Sequence, residues 1–187
     1  MVPIFEKGQG RGIGYGLETF LQRFDQICAE HLAHERAKAF AFIFYDFLDE
    51  DLKQILKDQG VFTHLDRLSG DQLSIFCLHT DAEVAVRRFN REFLSRLSLN
   101  ETTQLPCAVF FRLGVQGVTD VAVAQLDSAD LMHGVLELYG VIQRYLEGAQ
   151  EPESGRKHIR WMKSAAGTVT MEALRAALRA AFDHLTF

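Results

Sequence analysis

Apolar positions along the chain switch repeatedly between helical spacing and short continuous runs. From Leu17 to about Arg36 they fall at Leu17, Phe20, Leu21, Phe24, Ile27, Cys28 and Leu32. Steps of three and four predict an amphipathic helix. AFAFIFYDF (Ala39 to Phe47) is apolar on both faces and predicts a strand covered on both sides, as in parallel sheets. Asp49 can cap a short helix carrying Leu52, Ile55 and Leu56, which Gly60 would end. VFTHLDRLSGD, Val61 to Asp71, reads as a connecting turn with Leu65 and Leu68 inward. A second buried strand follows in QLSIFCLH, Gln72 to His79.

Thr80 and Glu83 stand as in a capping box, opening a helix with Val86, Phe89, Phe93 and Leu97 on one face. Pro106 begins a third strand, CAVFFRL. Gly114 and Gly117 bracket a turn, and a fourth strand holds Val121 and Val123. A helix from Ser128 to about Glu147 aligns Leu131, Val135, Leu138, Ile142 and Leu146. Residues 148–168 read as a basic linker. Thr170 can cap a last amphipathic helix, within 169–187, with Met171, Leu174, Leu178, Phe182 and Leu185 on one face.

Without its first and last helices, this order is β-α-β-α-β-β-α. Right-handed crossovers make the first two strands parallel neighbours, and the tight turn makes the last two an antiparallel hairpin. The order, with LPCAVFFRL carrying a proline at the third strand, resembles the thioredoxin-like fold over Lys38 to about Glu147. The resemblance implies a four-stranded mixed sheet in an α/β domain spanning 17–147, and a cis Pro106. It also implies a redox cysteine after the first core strand. That segment instead reads Tyr45-Asp46-Phe47-Leu48-Asp49-Glu50-Asp51, without sulfur. Carboxylates there oppose thiolate formation, so thioredoxin-type disulfide chemistry is not expected.

The first sixteen residues contain glycine at 8, 10, 12, 14 and 16. They read as a flexible lead-in, since alternating glycine disfavours helix and strand. GxGxxG spacing and a Walker lysine are absent, and too few residues precede the glycines for the strand a phosphate loop needs.

The 187 residues, 48% hydrophobic with a net charge of −5, suit a globular domain. No apolar run reaches the roughly 18–20 residues of a membrane span, and the start lacks a signal-peptide core. Three widely spaced cysteines without a zinc pattern suggest a reducing, cytoplasmic setting. The average charge conceals an asymmetry. Residues 152–187 hold six Lys/Arg against three acids, leaving −8 on the remainder.

Asp46, Asp49, His79 and Asp81 follow the ends of the two parallel strands, where open sheets place ligands. They could serve a metal- or nucleotide-dependent enzyme or sensor, as in a stress or defence system. Helix capping accounts for Asp49 and Asp81 without any ligand. Cys107 beside Pro106 is the one candidate thiol, although strand alternation favours its burial. RKHIRWMK places Arg156, Lys157, Arg160 and Lys163 around the only tryptophan, Trp161. With Leu174, Leu178 and Phe182, these residues make the C-terminal segment the candidate for a protein partner or self-association. Nucleic acid is the weaker alternative for so small a positive excess, and no cofactor is implied. The expectation is a non-catalytic, thioredoxin-like interaction domain, an adaptor or subunit of a bacterial-type cytoplasmic complex.

Overall fold

Alternate phenylalanines in the strands set the layers of this protein. The computed structural model describes residues 4–7, 17–34, 39–46, 54, 59–70, 72–80, 89–97, 99, 103–127, 129–148, 159–163 and 167–182. Its strands are β1 (Ile4–Lys7), β2 (Ala39–Asp46), β3 (Leu73–Thr80), β4 (Cys107–Gly114), β5 (Gly117–Leu126) and β6 (Ile159–Lys163). Its helices are α1 (Leu17–Ala33), α2 (Gln59–Ser69), α3 (Leu131–Leu146) and α4 (Met171–Phe182). A π-helical stretch (Phe89–Leu94) and a 3-10 turn (Ser95–Leu97) precede β4.

The protein is α/β, with a mixed open sheet. Five strands run in the order β3-β2-β4-β5-β6, and β1 adds a sixth beside β3. The pairs β1–β3 and β2–β3 are parallel; β2–β4, β4–β5 and β5–β6 are antiparallel. The parallel pair and the hairpin are as the element order predicts, but the sheet is wider than the expected four strands. One added strand comes from the supposed linker, where Ile159 and Trp161 alternate with Arg160 and Met162 and so present one apolar side. The other is β1, so a short strand does precede the glycines. Residues 8–16 themselves lie outside the described residues.

Phe40, Phe42, Phe44, Phe76, Val109, Phe111 and Val123 face one layer, where α1, the π-helical stretch and α4 cover them. The rings interlock: Phe42 lies 5.0 Å from Phe111 and 5.4 Å from Phe24, centroid to centroid. Ala41, Ile43, Ile75, Ala108, Phe110 and Ala124 face the second layer, under α2 and α3. Small alanines on this side let α3 approach with its buried Val135, Leu138 and Ile142.

Two elements differ from the periodicity reading. Val61 to Ser69 is helical, because Val61 and Leu65 lie one turn apart and share an inward side despite the polar residues between them. Gly60 therefore lies inside α2 and does not end a helix, while Gly70, at φ +48°, follows the helix end. Leu32, expected on the buried face of α1, is 42% exposed, since the core side of the helix ends with Ile27 and Cys28. The short helix expected after Asp49 and the capping box at Thr80 and Glu83 fall largely outside the described residues.

Candidate functional site

Only part of the predicted ligand-binding end of the sheet lies within the described residues. Strand register sets Tyr45 beside His79, Asp46 beside Thr80 and Phe44 beside Cys107. These positions do share one end of the sheet. However, position 46 has the parity of Phe42 and Phe44, whereas position 79 has that of Ile75 and Cys77, which belongs to the opposite layer. Asp49 and Asp81 lie outside the described residues. Register therefore sets positions 46 and 79 at one end of the sheet, with opposite parity along β2 and β3.

The Leu105–Pro106 peptide is cis, and the Pro106 carbonyl accepts a hydrogen bond from Leu126 N at 3.0 Å. Cys107 is completely buried, and burial pushes its thiol up beyond the usual range. Cys28 is raised by the same desolvation, with Asp25 adding to it. Cys77 is also buried, and all three cysteines are free thiols. A neutral, enclosed thiol is a poor nucleophile, so Cys107 fills space beside the proline and does not present a reactive group.

The C-terminal segment holds a more informative arrangement. Thr170 Oγ1 accepts from Ala173 N at 3.1 Å and caps α4, as its position in the sequence predicts. Leu174, Ala177 and Leu178 are then buried in the phenylalanine layer. Arg175 Nε meets Asp25 Oδ1 at 2.8 Å, and Arg179 forks onto the Glu18 carboxylate at 3.2 and 3.3 Å. The Arg179 hydrogen bond lowers the pKa of exposed Glu18. Thus α4 docks on α1 of its own chain. The apolar stripe of Leu174 and Leu178 is used within the fold and is not an outward docking surface; Phe182 is the last residue of α4.

Strand β6 carries three of the remaining candidates, Arg160, Trp161 and Lys163; Arg156 and Lys157 lie outside the described residues. Trp161 pairs in register with Ala124, and its ring packs 5.9 Å from Phe110 and 6.5 Å from Tyr145. Its buried indole N–H has no hydrogen-bond partner among the described residues. A half-buried ring with Phe110 and Tyr145 against it has less of its face available to stack on a base, which weakens the nucleic-acid alternative. Arg160 is exposed. Among the described residues, no strand pairs with the outer side of β6.

One polar group behind this edge escaped the sequence reading. Asp120 and Val121 together oppose Phe111, a β-bulge with Asp120 at φ +53°. The bulge sets Asp120 Oδ2 3.4 Å from Arg112 Nε. Arg112 Nη2 also donates to Tyr145 O at 2.8 Å, and Tyr145 Oη donates to Asp120 O at 2.9 Å. The Arg112 guanidinium lies 5.2 Å from the Tyr145 ring centre. This group locks the end of α3 to the hairpin, and Tyr145 in turn supports Trp161. Adjacent polar residues at Thr119 and Asp120 in an otherwise alternating strand were the available signal for the bulge.

The sheet with helices on both faces defines an α/β protein, and its C-terminal segment supplies an edge strand and a docked helix. No protein-family model matches the chain, and no curated protein is significantly similar to it. No helix among the described residues is long and apolar enough to cross a membrane.

Proposed function

We propose that this chain is a thioredoxin-like domain without thiol chemistry, which works by binding protein as an adaptor or subunit of a bacterial-type cytoplasmic complex. The observation that carries the proposal is β6: an edge strand among the described residues, bearing Arg160 and Lys163 and anchored through Trp161. The strand order β3-β2-β4-β5, with only β4 reversed, supports the thioredoxin-like part of the reading. Burial of all three cysteines supports the non-redox part. Contact through the C-terminal segment then falls to β6, because Leu174 and Leu178 of α4 are already covered.

The test uses the full chain as bait under reducing conditions, beside an Arg160→Glu/Lys163→Glu variant of matched melting temperature. A partner retained near equal stoichiometry by the wild type and about tenfold less by the variant is the expected result, since charged contacts govern such association. Equal recovery by both baits, recovery only as a thiol-dependent adduct, or no partner would overturn the proposal.

A further inference from the structure

We infer that the outer edge of β6 receives an acidic, extended polypeptide segment as an additional strand; this rests on the protein-binding reading above. Every second residue of an edge strand turns its N–H and C=O away from the sheet, so β6, the edge among the described residues, offers main-chain donors and acceptors in a fixed row. Strand addition uses such a row for affinity and leaves the side chains to select the partner.

Charge narrows the occupant. The stretch from Arg156 to Lys163 contains four Lys/Arg and no acid, and β6 itself contributes Arg160 and Lys163. The β6 of a second copy carries the same positive residues, so its approach to this edge is electrostatically unfavourable. An acidic strand meets the opposite balance. The edge is therefore defended against self-pairing and open to a carboxylate-rich partner by the same residues. The inner side is firm, with Trp161 held between Phe110 of β4 and Tyr145 of α3. An edge that is already ordered loses less entropy when a strand is added.

Because Trp161 is the only tryptophan and lies on β6, its emission locates the event. The probe is a fluorescein-labelled peptide of about eight residues alternating Glu and Val, long enough to cover a strand. Anisotropy of the label against the full-length protein reports binding. Saturable binding that alters Trp161 emission and weakens about tenfold as salt is raised is expected. N-methylation of alternate peptide amides, which removes strand hydrogen bonding, should abolish the binding, and a Lys/Val peptide should not bind.

Absence of saturable binding by the Glu/Val peptide would overturn the inference. So would equal binding of the N-methylated peptide, which would mean attraction by charge alone. Displacement of the peptide by a short oligothymidylate binding more tightly would assign the edge to nucleic acid instead. If the peptide fails while charge-sensitive capture of a protein persists, the strand-addition inference falls and the protein-binding function stands. Failure of both removes both.

Discussion

Gly117 shows how a single position can hold distant parts of this chain together. Its φ is +126°, and a Cβ placed there would lie 2.5 Å from the Val169 carbonyl oxygen. Only glycine allows that approach, which lets Val118 and Val169 exchange hydrogen bonds of 2.7 and 2.8 Å. Gly117→Ala should lower the unfolding free energy by about 2–3 kcal/mol, from backbone strain and displacement of the bridge; urea denaturation measures it. Titrating groups make a second prediction. Cys28, Cys107 and Tyr145 all have folded pKa values raised above their ordinary values of 9.0 and 10.0, mainly by burial. Their contribution is full below those ordinary values and is lost as pH rises, because only the unfolded chain then releases the protons. Urea midpoints should accordingly fall as pH rises from 8 towards 10, and Cys28→Ala/Cys107→Ala should show a shallower fall from its own lower starting point. An equal slope in both proteins would contradict the assignment to these thiols.

Among the elements, α4 separates packing from surface charge. Leu178 is fully buried, whereas Arg179 meets Glu18 near the surface. Leu178→Ala should cost about 2–5 kcal/mol, the range for opening a cavity in a packed core. Arg179→Ala should cost less than about 1 kcal/mol, as exposed ion pairs do. Thermal unfolding of the two variants side by side checks the contrast. The same distinction explains which elements were legible in the sequence. The helix cap at Thr170 and the buried strands of phenylalanine were visible, because each has a strong local pattern. The identity of α2 was not, since His64, Asp66 and Arg67 give it the look of a polar turn. Helical status there depends on α2 packing against α3, where His64 sits 4.3 Å from the Tyr139 ring centre. Strand β6 was hidden for a similar reason: five residues have little strand signal until β5 supplies a partner.

The whole molecule was legible in its class and in two strand pairings, the parallel β2–β3 and the β4–β5 hairpin, because alternating phenylalanines and short connections restrict the possible arrangements. Its width was not legible. Whether a basic segment hangs free or completes a sheet is decided by non-local pairing, and so is the destination of an amphipathic helix. The candidate site followed the same division. The buried state of Cys107 could be read from alternation, while the opposite parities of positions 46 and 79 needed the register between β2 and β3. The docking of α4 on α1 carries a further consequence for synthesis. The layer containing Phe42 and Phe111 is roofed partly by α1, which precedes the layer's central strands in the chain, and partly by α4, which follows all of them. A nascent chain therefore leaves part of that aromatic layer uncovered until residue 178 has cleared the ribosome, and interrupted products ending before α4 would expose it to chaperones and proteases.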